Sequence, residues 1–321
     1  MEGKTGARPV FWAQGMAGLP IPSCTDRECG GDYIARQLLC RNHSNDVRKR
    51  DVAGASIITR REDAHKFARL YFRPLTPTQY HIEGIKRRDD EYIDQGAHAP
   101  VLVMFLFDSG AVLTRPGTHF SNGNMQRGDS RFSEDEGFFR TIDFAKVYHN
   151  VAYDEGADGD IKFYRSAEVL AESPLPLRSH LRHIYCRSQA ERRMLLYMVA
   201  EVCGPEKLSE LRAIIEVSDD TLLFQKRYSY VDTTSLDSKG VVWRLNPRRD
   251  GQPSEIEIHV YDRRGRLLHR YGPTQKAPFH ESGRPWRWHL NLRPGGYRVE
   301  IQIEGCLAYN NVFVLEDDVP F

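Results

Sequence analysis

The run PVLVMFLFD at residues 100–108 is almost wholly apolar and ends on an aspartate. It is far shorter than the roughly 20 apolar residues that a membrane-spanning helix needs. It has the length of a strand. A strand that does not alternate has no face to give to water, so the run predicts a central strand covered on both sides. A chain built around such a strand needs other layers above and below it, which points to a mixed α/β domain.

The surrounding pattern divides the 321 residues in two. Residues 1–30 are rich in Gly, Pro and Cys without a period and read as irregular. Between Tyr33 and Arg61, Ile34, Leu38, Leu39, Val52, Ile57 and Ile58 suggest a helix or two. ARLYF (68–72) reads as a short strand stopped by Pro74 and Pro77. IKFYRSAEVL (161–170) and LRHIYC (181–186) read as two more. After Ser188, the residues Met194, Leu195, Met198, Val199 and Val202 recur at helical spacing. Composition changes after Gly204. AIIEV, VVWRL, EIEIHVYD, RLLHRYG, WRWHLNL, YRVEIQIEG and NVFVLED are short β-rich runs separated by turn residues. They predict an antiparallel sandwich or barrel. The expected organisation is an α/β (α+β) domain over 1–205 followed by a smaller all-β, sandwich-like domain over 206–321.

Bulk properties exclude little. A net charge of +1 with 28% charged residues rules out a polyanion or polycation but leaves room for a local basic groove. The opening MEGKTGARPVFWAQGMAGLPIP lacks the apolar core of a secretory signal, so a cytoplasmic location without membrane attachment is expected. Cys24, Cys29, Cys40 and His43 do not have the gaps of a zinc knuckle, and no metal is expected. P-loop, GxGxxG, HExxH and GxSxG motifs are missing from the sequence.

Four stretches carry chemistry. In YFRPLTPTQYHIEGIKRR (71–88), two prolines fix an extended loop around Arg73, with Tyr71, Tyr80 and His81 nearby. A guanidinium so held can grip phosphate or carboxylate through its planar fork, or it can be an ordinary solvated charge. In HFSNGNMQRG (119–128), Asn122, Gly123 and Asn124 form a turn whose amides can meet a ligand, although such a stretch alone is more often just a turn. In KVYHNVAYDEGADGDIKFYRSAEV (146–169), Tyr148, His149, Asn150, Tyr153, Tyr164 and Arg165 alternate with flexible residues. Aromatic and basic neighbours of this kind can stack a base and read its edge, but the residues alone favour an ordinary loop flanking a strand. In YCRSQAERRMLLYM (185–198), Ser188 followed by Glu191 forms a capping box at the start of a helix. Glu191 is therefore a cap, a catalyst, or both.

Together and in this order, these stretches resemble the DarT family, the single-stranded-DNA thymidine ADP-ribosyltransferases. The resemblance rests on ARLYFRPLTPTQYHIEGI, HAPVLVMFLFDS, FSNGN, YRSAEV and IYCRSQAE, and covers residues 50–200. The C-terminal LAYNN…DDVPF looks like endings of longer relatives. The resemblance implies an ADP-ribosyltransferase-like fold, NAD as co-substrate, thymidine in single-stranded DNA as acceptor, and a macrodomain antitoxin as partner. It maps the family's catalytic glutamate onto Glu191. Arg73, Tyr71 and Tyr80 would bind NAD, with Arg73 also catalytic. Tyr148, His149, Asn150, Arg165, Asn122 and Asn124 would line the DNA side.

Two departures accompany the match. The family's arginine after the YF-x-P segment falls on Leu75. Arg73 lies two residues earlier and would share its side if the segment is extended. The family's N-terminal NAD-binding histidine has no counterpart beyond VFWAQGM and His43. Two other functions therefore compete with transfer to DNA: a nucleic-acid-binding protein that has lost catalysis, and a transferase that modifies RNA or protein. In the C-terminal part, Arg244, Arg248, Arg249, Arg263, Arg264, Arg266 and Arg270 form a basic face or plain solvated charge. Trp243, Trp286 and Trp288 are expected to pack the sandwich.

Overall fold

The computed structural model describes residues 66–87, 89–90, 99–154, 156, 160–218, 222–272 and 283–316, and the backbone alone of 10–16, 37–38 and 276–277. The helices expected within 33–61, apart from the strand at Gln37–Leu38, and Cys24, Cys29, Cys40 and His43 lie outside the described residues. The chain forms two compact units. One takes 1–15, 22–81 and 104–185, and the other takes 16–21, 82–103 and 186–321. The contact boundary therefore falls at Tyr185/Cys186, and the composition change after Gly204 lies inside the second unit.

The strands of the first unit are β1 (Val10–Met16), β2 (Gln37–Leu38), β3 (Phe67–Tyr71), β4 (Leu102–Asp108), β5 (His119–Ser121), β6 (Phe132–Ser133), β7 (Glu168–Glu172), β8 (Leu175–Pro176) and β9 (Leu181–Cys186). All but β2 and β8 join one sheet in the order β9-β4-β1-β3-β7-β5-β6. β4 is an interior strand, as its unbroken apolar run requires; Leu102, Val103, Met104 and Phe107 are buried. β9 pairs with it antiparallel, Met104 facing Tyr185. β3 pairs with β7, Tyr71 facing Glu168. VFWAQGM, expected to be irregular, is instead the strand β1, with Trp12 facing Tyr71. Val10, Phe11 and Trp12 are strand-forming types, but the run is short and its Gly- and Pro-rich surroundings give no period to read it by.

Short helices connect these strands: α1 (Pro77–Ile82), α2 (Ser109–Leu113), α3 (Glu136–Arg140), α4 (Phe144–Val147), α5 (Ile161–Tyr164) and α6 (Leu177–His180). Asp108, Asp135 and Asp143 cap α2, α3 and α4 by accepting backbone N–H bonds. The expected strand over 161–170 is corrected to α5 followed by β7. Ile161 and Phe163 are buried from a single helical turn, so the apolar pair serves that turn and not a pleat.

The second unit opens on α7 (Gln189–Arg212), which breaks at Gly204, φ 78°, before Pro205. Proline removes a donor and pushes its predecessor off the helical region. The strands β10 (Ile215–Val217), β11 (Tyr230–Asp237), β12 (Gly240–Asn246), β13 (Ser254–Asp262), β14 (Leu267–Tyr271), β15 (Lys276–Ala277), β16 (Trp286–His289), β17 (Gly295–Ile303) and β18 (Cys306–Leu315) follow. β11-β12-β16 form one antiparallel sheet; β14-β13-β17-β18, with β15 on β13, form another. Between β17 and β18 lie only Glu304 and Gly305, both at positive φ, the conformation that a two-residue hairpin turn demands.

Alternation sends Ile256, Ile258, Val260, Val299, Ile301 and Ile303 inward, where they meet Val231, Val241 and Trp243. Met194 and Met198 of α7 enter this same core. Burying each such side chain contributes about 1.5–3 kcal/mol, so α7 is anchored by the β-rich unit and the unit is not all-β. Trp286 and Trp288 pack against the core as expected. β11 was not anticipated, because YVDTTSLD is mostly polar and only its pairing with β12 makes it a strand.

Candidate active site and strand-binding surface

Arg73 lies just beyond β3 and is 4% exposed. Its Nε donates to the Pro74 carbonyl at 3.0 Å. Nη1 donates to the carbonyls of Val147, at 3.0 Å, and His149, and Nη2 donates to Asn150 Oδ1. One guanidinium therefore ties the 73–74 bend to the 147–150 segment. All four acceptors are neutral. Among the described residues the charge has no counterion, and burial together with nearby Arg165 lowers the Arg73 pKa to about 10.

Arg165, the C-cap of α5, completes this corner. Its guanidinium lies 5.4 Å over the Tyr153 ring, and its buried Nε has no hydrogen-bond partner. Burial pulls its pKa down too. His149 meets Tyr153 edge-on at 6.2 Å, and its Nδ1 is likewise buried without a partner. Tyr148 is exposed and stacks with Phe144 at 6.1 Å and 22°. The fold thus gathers Tyr148, His149, Asn150 and Arg165 around Arg73. The result is two uncompensated cations with aromatic rings beside them, a combination suited to a phosphate backbone and its bases.

Other candidates are placed differently. Residues 72–75 bend and Leu75 has φ 55°, so the side-sharing argument for Arg73 and Leu75, which needs an extended segment, does not hold. Leu75 N–H donates to Gln79 Oε1 at 2.7 Å, while Thr76 Oγ1 accepts from Gln79 N–H at 3.1 Å, a cap at the start of α1. Tyr71 reaches Thr78 Oγ1 at 3.5 Å, and burial raises its phenol pKa. Tyr80 is 41% exposed and meets the His81 ring edge-on. None of Arg73's bonds goes to either tyrosine. Asn122 Oδ1 accepts from Arg131 N–H and Asn124 Oδ1 from Gln126 N–H, so both oxygens are spent inside their own loop.

Glu191 starts α7 as expected. Ser188 is the N-cap, and its Oγ accepts from Glu191 N–H at 3.1 Å. The carboxylate does not face an open cleft: Glu191 is 1% exposed. Arg187 folds back on it, its Nε donating to both oxygens at 3.0 and 3.1 Å and its Nη2 donating to Oε1. Arg187 N–H donates to Oε2 at 3.1 Å. The guanidinium also donates to the Pro100 carbonyl at 2.6 Å, lies 4.8 Å over Tyr230, and has Nη1 3.9 Å from Glu83 Oε1. Glu83 in turn accepts from Gln225 and Lys226 N–H groups. Burial raises the proton affinity of Glu191 against the pull of Arg187.

Sequence reasoning passed over Arg187 and Glu83. Arg187 stands four residues before Glu191, a spacing that brings opposite charges together; Glu83 left no local signal. It also missed the bidentate pair of Arg69 on β3 with buried Glu168 on β7. In the C-terminal part, the basic face is largely neutralised. Arg244 pairs with Asp232, Arg248 with Asp90 and Asp250, Arg266 with Asp262, and Arg270 with Glu257. Among the described residues no cluster of His, Cys, Asp and Glu is placed to hold a metal, and no helix is long and apolar enough to cross a membrane.

Comparison with known proteins gives this geometry a context. The family model described as "ssDNA thymidine ADP-ribosyltransferase, DarT" matches residues 33–208, more than half of the chain. Among solved structures, Thermus sp. 2.9 DarT in complex with ADP-ribosylated ssDNA aligns with TM-score 0.50 and 18% identity, covering 68% of this chain and 96% of that one. Thermus sp. 2.9 DarT in complex with NAD+ aligns with TM-score 0.46 and 14% identity, covering 66% and 96%. The first likeness bears on the fold. No curated protein matches the chain.

Proposed function

The chain belongs to the DarT family of single-stranded-DNA thymidine ADP-ribosyltransferases, and from that premise we propose which of its residues carry the reaction. The enzyme moves ADP-ribose from NAD to thymidine in single-stranded DNA. The C1′–N bond to nicotinamide breaks, C1′ bonds to the thymine base, nicotinamide leaves, and the base loses a proton. Positive charge builds on the ribose as the first bond opens. Glu191 is the carboxylate that stabilises it, an interaction stronger in the transition state than in the ground state.

For Glu191 to act, Arg187 must release an oxygen. Glu83, already 3.9 Å from Arg187 Nη1, is the acceptor that can hold the guanidinium meanwhile. The DNA strand lies on the surface of Tyr148, His149, Asn150 and Arg165. The observation that carries this assignment is the Arg73–Arg165 pair, two buried or half-buried cations with no carboxylate partner among the described residues. A bound phosphodiester supplies the missing charge. Arg73 acts as a positioning residue whose bonds hold the Val147–Asn150 segment. Tyr71 and Tyr80 are assigned to the NAD side on the family resemblance alone. A macrodomain that removes the modification is the expected partner, and the cytoplasm the expected compartment.

Incubation with NAD and a thymidine-containing oligonucleotide should add an ADP-ribose mass to the DNA. Equal modification by Glu191→Gln would reject the assigned carboxylate. A second reading is favoured by Leu75 in place of the family arginine and by the closure of Arg187 on Glu191: a strand-binding protein without turnover. It predicts salt-dependent binding of oligonucleotides with no consumption of NAD. RNA and protein acceptors, offered beside DNA in the same assay, decide acceptor class.

A further inference from the structure

The turn Asn122–Gly123–Asn124 spends its two side-chain oxygens on its own loop, yet it is built tightly against one partner, α5. A Cβ placed on Gly123 would stand 2.3 Å from Cε1 and Cζ of Phe163. Its backbone is not in the left-handed region, so it is space and not conformation that demands glycine there. Asn124 N–H donates to the Phe163 carbonyl at 3.0 Å. Three residues on, the Arg127 guanidinium lies 4.5 Å over the Phe163 ring, and its Nη1 donates to Asp160 Oδ1, at the start of α5, at 2.7 Å. From behind, Ser121 Oγ donates to the Gly123 carbonyl at 2.8 Å and accepts from Glu168 N–H at 2.9 Å, which fixes the turn to β7.

A four-residue helix cannot hold its own geometry. α5 is held by its two buried side chains, Ile161 and Phe163, and Arg165 follows two residues after the ring at the C-cap. We propose that Gly123 and its turn are positioning residues for substrate DNA: they aim Arg165 by seating Phe163. This rests on the reading above that Arg165 meets the strand.

The test uses the full chain and steady-state transfer to a thymidine oligonucleotide, with KM measured separately for DNA and for NAD. Arg165→Gln sets the scale, raising the DNA KM by about tenfold. Gly123→Ala should raise the DNA KM by a similar factor, roughly tenfold, leaving the NAD KM and the saturated kcat within about twofold. Adding Phe163→Leu, which removes the atoms in the way, should restore most of the DNA KM relative to Phe163→Leu alone. If Gly123→Ala does not fold, Arg127→Gln on the solvent side should give the same split at about threefold. An unmoved DNA KM in Arg165→Gln overturns the reading of Arg165 itself. A normal Gly123→Ala beside an impaired Arg165→Gln overturns the positioning role alone. So does an equal rise in the NAD KM, an absent rescue by Phe163→Leu, or an Arg127→Gln that leaves the DNA KM unmoved.

Discussion

Arg73 and Arg187 are 4% and 3% exposed, and they meet burial in opposite ways. Arg73 gives its hydrogens to carbonyls and an amide, and its proton is held less tightly than in water. Arg187 sits against Glu191 with Glu83 near, and its proton is held more tightly. Desolvation is common to both; the difference is the counterion. A buried cation without one is a place where an anion is welcome, and a buried cation with two carboxylates is neutralised from within. On the proposed reading, the first corner receives the DNA strand. On the same reading, the second loosens before Glu191 acts.

The widest gap should appear in activity. Glu191→Gln is expected to lower transfer to thymidine by about a thousandfold, read as ADP-ribosylated oligonucleotide by mass. Activity near that of the parent would make the second corner purely structural.

Stability should separate the two arginines next. Arg187→Met strands Glu191 in a buried site and should cost about 3–5 kcal/mol in denaturant unfolding. Arg73→Met frees only neutral acceptors and should cost about 1–3 kcal/mol. Equal losses would erase the distinction drawn here.

Ligand binding sharpens it further. An oligonucleotide at about 100 times its Kd should stabilise the protein by about 2.7 kcal/mol in a thermal melt. The gain should shrink with added salt, and Arg165→Gln should reduce it. The smallest effect is on that salt dependence itself: removing one phosphate contact with Arg165→Gln should flatten the log–log slope of binding by about 0.7. An unchanged slope would place the strand elsewhere.

The cap at Ser188 and Glu191, the interior strand β4 and most of the later strands were legible, because each is written in neighbouring residues. A hydroxyl three before a carboxylate, an apolar run without alternation, and alternation between turn residues are local signals. α5 was misread because Ile161 and Phe163 are two apart and suit a pleat as well as a buried turn. β1 was missed because its strand-forming Val10, Phe11 and Trp12 stand alone in a Gly- and Pro-rich stretch without a period. The grouping of Tyr148, His149, Asn150 and Arg165 was expected from the family resemblance, since composition alone suited an ordinary loop as well. That Arg73 would bind their backbone was not, for carbonyls 74 and 76 residues away leave no trace in a pattern.

The sequence by itself determined the chemistry available: one glutamate at a helix start, aromatic and basic residues in one stretch, and a family likeness ordered along the chain. Only the tertiary structure decided which charges are met and which are not. It closed Arg187 on Glu191, left Arg73 and Arg165 without counterions among the described residues, and set Gly123 against Phe163. The reason is physical: a side chain's type is local, but its desolvation and its partners come from segments that meet only when the chain has folded.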